Sequence, residues 1–280
     1  MNSLSDELVR EIRAKLNSDD IKLPSLPATI IKVQTLLADD DYSVADISKI
    51  LIGDSAFATV VMRIANSARF NTSGKEIRNM NIAIQRIGTG NILKLLIGIA
   101  SKLFFKVKQP ELRQAMQKAH DRTLLVSAAA EQVARTTQTA NPADTFMAAL
   151  LHDQGRHVLV ACIPEDLMAM DCATRAEIYE TFRREMGARL LFKWQLPEEF
   201  ILVAQHHGIE SPDRPNLPML DCLDIGDKIV HNMTDANNGK TIDFSNFSPS
   251  KRLRLSETQA TGIIMDVEDH IEELRLTFAT

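Results

Sequence analysis

The sequence has few of the residues that build disulfide-rich, all-β or membrane proteins. Its three cysteines, Cys162, Cys172 and Cys222, show no CxxC spacing, so we expect neither a disulfide framework nor a thiolate zinc site. Aromatic residues make up 5% of the chain, and its 11 glycines and 10 prolines are too sparse for all-β turns. No apolar run could span a bilayer, and the N-terminus lacks a signal-peptide core. We therefore predict a soluble, cytoplasmic protein with no membrane partner.

What the chain has in quantity is apolar residues suited to helices. Hydrophobic residues make up 45% of it, mostly Leu, Ile, Ala, Val and Met, and charged residues make up 25%. Small and unbranched side chains lose little rotamer freedom on a helix. The apolar positions recur at helical spacing, and no segment alternates with the period of a strand. The predicted fold class is all-α, with helices around residues 5–16, 27–37, 43–51, 54–68, 82–87, 92–105, 112–133, 142–151, 174–184, 187–194, 197–207, 218–233 and 256–278.

Charge is distributed unevenly along the chain. Residues 1–108 carry 15 Lys and Arg against 11 Asp and Glu, whereas the remaining residues carry 17 against 26. Pro110 follows directly and favours a break there. We therefore predict an N-terminal helical subdomain over residues 1–108 and a second helical subdomain over 109–280. The basic residues form no dense stripe interleaved with aromatics, so no nucleic-acid partner is expected.

Four candidate metal ligands lie on three separate predicted helices. His120 is on the long helix after the junction, His152 and Asp153 end an apolar helix, and Asp227 lies inside a later helix. Helical proteins hold catalytic metal ions between helices with such inward-facing imidazoles and carboxylates. Two His and two Asp suit Mn, Fe, Co, Ni or Zn. A core or capping role for each histidine is the alternative interpretation.

The order of these residues resembles the H…HD…D pattern of the HD superfamily of metal-dependent phosphohydrolases. A closer resemblance, over about residues 20–235, is to the HDOD family, the HD-related output domains of bacteria. The segments that carry this resemblance are Leu-Pro-Ser-Leu-Pro at 23–27, Ile-Gly-Asp-Ser at 52–55, Arg-Ile-Ala-Asn-Ser at 63–67, residues 77–88, and residues 187–197 with His206-His207.

The resemblance implies an N-terminal helical bundle packed on an HD-like helical bundle. HDOD proteins act in signalling without known turnover. Arg183 stands where a further HD-type histidine would be expected, and no GYP tripeptide follows His206-His207. We therefore predict a bacterial signalling or regulatory module with an HD-like pocket and no turnover. Its expected partners are regulatory proteins or a phosphorylated small ligand.

The alternative function is a metal-dependent phosphohydrolase acting on a nucleotide or phosphodiester. His120, His152, Asp153 and Asp227 would then hold the ion, and His206 and His207 are further candidate ligands. Asp153 or a nearby carboxylate would take a proton from metal-bound water, because the ion lowers the pKa of that water. The cation at Arg183 leads us to expect weakly held or substoichiometric metal.

Two of the candidate residues keep a second interpretation. Arg156 would offset phosphate charge during hydrolysis, or it could simply pair with a neighbouring carboxylate. His207 could complement the C-terminus of its helix, with Gly208 as a left-handed cap, instead of contacting metal or phosphate. His157 and His231 receive no role.

Overall fold

The computed structural model describes residues 5–18, 21–39, 41–67, 70–71, 73–104, 107–234 and 244–278. Within these ranges every regular element is a helix and no strand is present, which confirms the all-α prediction. In the same ranges, no helix combines the length and the apolar character that crossing a bilayer requires. The three cysteines are free thiols, as their spacing predicted.

Fifteen helices are described. In chain order they are α1 Asp6–Leu16, α2 Ala28–Leu37, α3 Val44–Ile52, α4 Ser55–Ala65, α5 Met80–Ile87, α6 Thr89–Phe104, α7 Pro110–Thr137, α8 Pro142–Leu151, α9 Gln154–Cys162, α10 Pro164–Ala169, α11 Cys172–Lys193, α12 Glu198–His206, α13 Pro218–Thr234, α14 Ser248–Arg252 and α15 Glu257–Phe278.

The chain divides into two compact units. The larger comprises Met1–Ser25 with Phe104–Ile264, and the smaller comprises Leu26–Leu103 with Met265–Thr280. Polar contacts within the larger unit explain why its first segment belongs there. Arg13 of α1 pairs with Glu185 of α11 at 2.8 Å, and the Trp194 indole N–H donates to the Pro24 carbonyl at 3.0 Å. The predicted subdomain 1–108 differs from this grouping, because helical periodicity does not report pairs so distant in sequence.

Capping residues set several of the helix starts that the sequence predicted. Ser43 and Asp46 form a reciprocal capping box at α3. Asp54 accepts from the first backbone N–H groups of α4, and Asn141 accepts from the N–H of Asp144 in α8. Each bond satisfies a helix-end N–H that has no partner inside the helix.

The larger unit is built around two groups of packed helices. α7 packs against α8 and α13, while α11 packs against α9 and α12. Residues 174–184 and 187–194, predicted as two helices, form the single helix α11, which continues through Gly187. The helix α9 was not predicted. Of the predicted loop over 237–250, residues 237–243 lie outside the described residues, and α14 begins at Ser248.

Candidate functional site

A cavity of about 330 Å³ lies within the larger unit. Helices α7, α9, α11 and α13 contribute to its wall, together with the residues that follow α8 and α12. Its lining is Ala119, Arg122, Thr123, His152, Asp153, Arg156, Glu180, Arg183, His207, Gly208, Leu223, Asp224 and Asp227. The cavity is small for a ligand pocket and unusually rich in charge.

Asp153 lies at the junction of α8 and α9, at the inner wall of the cavity. Its Oδ1 is 3.0 Å from Nη1 of Arg183, and its Oδ2 is 2.8 Å from Nε of Arg156. The carboxylate is only 13% exposed. Burial acts to raise its pKa, but the charges of Arg156 and Arg183 outweigh burial and hold the pKa well below its usual range. Asp153 is therefore a buried anion held by two guanidinium groups.

Arg183 joins Asp153 to His207. Its Nη1 also contacts Nε2 of His207, and its side chain is 11% exposed. Nδ1 of His207 lies 3.0 Å from the carbonyl of Ala204. Because that carbonyl can only accept, Nδ1 carries the proton, and Nε2 offers its lone pair to Arg183. Burial acts to lower the pKa of Arg183, but Asp153 and Glu180 outweigh it and raise that pKa.

His152 lies beside His207 at the same wall. The two rings are 4.7 Å apart between centroids and meet edge to face. Nδ1 of His152 bonds the carbonyl of Ala149, so its proton is on that nitrogen too. Burial lowers the pKa of His152, and burial lowers the pKa of His207 still further, aided by the neighbouring charge of Arg183. Both imidazoles are therefore neutral at neutral pH.

Glu180 lies on α11 at the more exposed side of the cavity. Its Oε1 accepts from Nη2 of Arg156, and its Oε2 accepts from Nη2 of Arg183, each at 3.0 Å. Nη2 of Arg184 lies 3.5 Å from the same Oε2. The carboxylate thus bridges two arginines that also hold Asp153. Arg156 additionally lies over the ring of Tyr179, 5.5 Å from its centroid.

A second ionic network involves Asp224, another residue of the cavity lining. Asp224 accepts from the N–H of Gly208 at 2.9 Å and from Arg214 at 2.7 Å. Arg214, only 4% exposed, also pairs with buried Asp221 at 2.8 Å. Burial raises the pKa of Asp224 to about 6, although Arg214 and the Gly208 N–H oppose that shift. These bonds tie the segment after α12 to α13.

The match to a known family covers most of this arrangement. A family model described as the HDOD domain matches residues 23–209. The chain belongs to the HDOD family. This HDOD chain is 26% identical over 217 residues to an uncharacterized protein of Treponema pallidum (strain Nichols). The alignment covers 73% of the HDOD chain but only 41% of the Treponema protein, so the chain spans less than half of that relative.

Solved structures share the fold of the HDOD chain. A Shewanella amazonensis SB2B protein, provisionally named a metal-dependent phosphohydrolase, matches with a TM-score of 0.76 at 18% identity, over 97% of this chain and 98% of that one. A Marinobacter aquaeolei VT8 protein, provisionally named a signal transduction protein, matches with a TM-score of 0.68 at 16% identity, over 98% of this chain and 66% of that one. At these identities the likeness concerns the fold, which is helical and HD-like.

The structure brings together part of the predicted site of the HDOD chain. His152, Asp153, His207 and Asp227 all line the cavity, as does Arg156. Asp227 pairs with Arg122 of α7 at 2.7 Å. Two predicted ligands lie elsewhere. His120 is buried and His206 half-buried, and neither belongs to the cavity lining.

These contacts bear on the two residues given alternative interpretations, and both alternatives stay predictions. Arg156 pairs with neighbouring carboxylates, as one interpretation proposed. Gly208 follows α12 with a positive φ of 68°, in the left-handed region predicted for its cap.

Three charged lining residues were missed by sequence analysis. Asp224 precedes Asp227 by three positions on α13, and Glu180 precedes Arg183 by three on α11, so helical spacing alone could have placed both on a shared face. Arg122 lies two positions after His120. No local signal distinguishes it from a solvent-facing arginine, because its partner Asp227 is distant in sequence.

The residues present do not fit the metal ion that the HD superfamily implies. Among the described residues, no group of three or more His, Cys, Asp or Glu side chains is arranged to hold a metal. The reason is visible at Arg183, whose guanidinium lies against Asp153 and His207. A permanently charged group there meets the donor atoms that a divalent ion would need. The predicted set of metal ligands thus stays a prediction that this geometry does not support.

The buried histidines predict how stability depends on pH. His152 and His207 have lowered pKa values in the folded protein, so the unfolded chain binds more protons below about pH 6.5. The contribution of these neutral rings to the free energy of unfolding is therefore greatest above that pH and decreases as the pH drops. Asp224 opposes this trend below about pH 6, because its raised pKa lets the folded state bind a proton.

We expect a net loss of about 2 kcal/mol in the free energy of unfolding between pH 7 and about pH 5.5. Urea unfolding followed by fluorescence measures it, because the chain has one tryptophan, the buried Trp194 of the larger unit. His207→Gln should flatten the slope, because it removes one of the buried rings whose pKa is lowered. A stability independent of pH over this range would contradict the assignment of buried neutral histidines.

Proposed function

We propose that this HDOD chain is a regulatory module whose pocket binds a ligand or partner without chemical turnover. One observation carries the proposal: the Arg183 guanidinium lies against Asp153 and His207, two of the predicted metal ligands. The positive charge that an HD enzyme would obtain from a metal ion is supplied here by a side chain. A guanidinium cannot hold a water molecule as a metal does or lower the pKa of that water. The site therefore lacks the group that would generate the nucleophile.

The arginine is held in place by more than one interaction. Asp153 and Glu180 accept from its two Nη atoms, and His207 accepts from one of them. A divalent cation entering the site would face the guanidinium charge at short range in a poorly solvated environment. Displacing Arg183 would also leave a buried charge without its partners, which is costly. The arrangement favours a stable internal ion pair over exchangeable metal.

The names of relatives point in two directions. The Marinobacter protein is named a signal transduction protein, and this name supports a regulatory role. The partners we propose for such a role are regulatory proteins or a phosphorylated small ligand. The Shewanella protein is named a metal-dependent phosphohydrolase, and this name supports the alternative function. In that alternative the substrate would be a nucleotide or phosphodiester. The contacts of Arg183 favour the regulatory role.

Metal content after substitution of Arg183 tests the proposal. Arg183→His would replace the guanidinium by a neutral imidazole beside Asp153, His152 and His207. We expect the wild-type protein to retain far less than one ion per chain after incubation with Zn²⁺ or Mn²⁺ and dialysis, and Arg183→His to retain about one. Elemental analysis measures the content, and a melting temperature that falls on chelation would report binding to the folded state.

Arg184→His is the matched control, because it makes the same change one position away on α11. Arg184 bonds the His207 carbonyl but does not lie between the candidate ligands. We expect it to retain no more metal than the wild type. The proposal would be overturned by wild-type protein that carries about one transition-metal ion per chain and melts at a lower temperature after chelation.

A further inference from the structure

We propose that Glu180 is an internal anion occupying a binding site for a small phosphate monoester, and that such a ligand binds by displacing it. The inference deepens the proposed function, since it rests on a pocket that binds without turnover. It concerns the exposed side of the cavity, where Arg156 and Arg183 present Nη2 atoms that Asp153 does not use.

The two arginines divide their donors between two carboxylates. Nε of Arg156 and Nη1 of Arg183 pair with the Asp153 carboxylate, which is 13% exposed. The two Nη2 atoms each lie 3.0 Å from a different oxygen of Glu180, which is 52% exposed. Asp153 fixes both guanidinium groups in position whatever occupies the outer side. The outer donors therefore form a preorganised pair spaced to bridge two oxygens of one anion.

Glu180 is suited to be displaced, whereas Asp153 is not. The Glu180 side chain is 52% exposed, and exposed ion pairs contribute little because solvent and salt screen them. Its flexible side chain can turn into solvent, where a carboxylate is well hydrated. Asp153 is buried and held on both oxygens. An arriving anion would thus exchange with Glu180 and leave the inner ion pairs intact.

The charge balance indicates the class of ligand. Arg156, Arg183 and the nearby Arg184 carry three positive charges, and Asp153 neutralises one of them. The other two carboxylates of the lining have arginine partners of their own, since Asp227 pairs with Arg122 and Asp224 with Arg214. A phosphate monoester carries close to two negative charges and three acceptor oxygens at neutral pH, whereas Glu180 supplies one charge and two oxygens. Guanidinium N–H groups form strong charge-assisted hydrogen bonds with phosphate oxygens, and here each arginine offers one Nη2. A dianionic monoester can therefore outcompete Glu180, while a monoanionic phosphodiester has no such advantage.

The cavity limits the size of the rest of the ligand. Its volume of about 330 Å³ is at the lower end for small-molecule sites. Ala119, Thr123 and Leu223 contribute less polar surface to the wall. We infer a phosphorylated small molecule in preference to a phosphorylated protein segment.

Phosphate binding to a Glu180→Gln variant tests the inference. Inorganic phosphate is the first probe, a nucleoside monophosphate the second, and dimethyl phosphate the monoanionic comparison. Isothermal titration calorimetry is done at low salt with a chelator present, so that metal plays no part. We expect Glu180→Gln to bind inorganic phosphate about tenfold more tightly than wild type, because the competing carboxylate is gone. We expect dimethyl phosphate to bind at least about tenfold more weakly than inorganic phosphate.

Two further variants make the result specific. Glu199→Gln removes the same charge from an exposed position on α12 and should leave the affinity within about twofold of wild type. In the double variant that combines Arg156→Gln with Glu180→Gln, the increase in affinity for inorganic phosphate should be lost. Circular dichroism and Trp194 fluorescence verify that each variant is folded.

The inference fails if Glu180→Gln binds inorganic phosphate no more tightly than wild type. It also fails if Glu199→Gln increases the affinity for phosphate as much as Glu180→Gln does. It also fails if neither protein binds phosphate at all. None of these outcomes bears on whether Arg183 replaces a metal ion, because the titrations exclude metal. If Glu180→Gln increased the affinity for a phosphorylated peptide more than the affinity for the nucleoside monophosphate, the ligand would not be a small molecule.

Discussion

Replacing Asp153 by Ala is expected to lower the free energy of unfolding of the larger unit by about 3–5 kcal/mol. The carboxylate holds Arg183 through one oxygen and Arg156 through the other, and it is largely buried. Without it, Arg183 keeps a largely buried positive charge, and among the described residues the half-exposed Glu180 is its remaining anionic partner. Leaving one member of a buried ion pair uncompensated costs more than the pair contributes. Urea unfolding followed by Trp194 fluorescence measures the loss.

A double variant separates the cost of the unpaired charge from the loss of packing. Combining Asp153→Leu with Arg183→Met removes both buried charges, so we expect it to recover a substantial part of the stability lost in Asp153→Ala. Asp213→Ala, a change in an exposed loop, should stay within about 0.5 kcal/mol of wild type. If Asp153→Ala cost less than about 1 kcal/mol, the buried ionic core would not be the main support of this wall.

Much of the fold could be predicted from the sequence because its signals are local. The helices predicted around residues 43–51, 54–68 and 142–151 do begin there, and the capping side chains are Ser43, Asp54 and Asn141. Helical spacing likewise predicted α7 and α13, the two long helices that pack together. The errors occur where tertiary contacts override local signals. Residues 174–184 and 187–194 were predicted as two helices, yet α11 is continuous through Gly187, where the backbone of α9 packs closely.

The site was harder to predict, because its character depends on which side chains meet. The sequence suggested His152, Asp153 and Asp227 as companions, and all three line one cavity. It also marked Arg183 as unusual among HD-type sequences. What the pattern could not show is that the guanidinium reaches Asp153 across the interface of α9 and α11, or that Glu180 bridges it to Arg156. Those contacts are the reason we propose anion recognition in place of metal binding at this site.

Gly155 is the position at which a single methyl group should disturb the site most. A Cβ there would lie 1.7 Å from the carbonyl oxygen of Arg183 and 2.8 Å from the backbone nitrogen of Gly187. The clash is with backbone on α11, so no side chain can turn away to relieve it. α9 and α11 would have to separate, which would pull Arg156 and Asp153 away from Arg183. We therefore expect Gly155→Ala to cost about 4 kcal/mol or more and to reduce the yield of folded protein.

Two other glycines calibrate this prediction, with urea unfolding and Trp194 fluorescence as the measurement. At Gly187 an added Cβ would meet the backbone of Gly155 at 3.2 Å, which a small shift can relieve, so Gly187→Ala should cost about 1 kcal/mol. At Gly262, within α15, nothing lies within 4 Å of the added Cβ. Gly262→Ala should stabilise the protein slightly, by up to about 1 kcal/mol, through helix propensity alone. A Gly155→Ala protein as stable as Gly187→Ala would mean that α9 and α11 can separate freely, and that the ion pairs of Asp153 do not depend on their close packing.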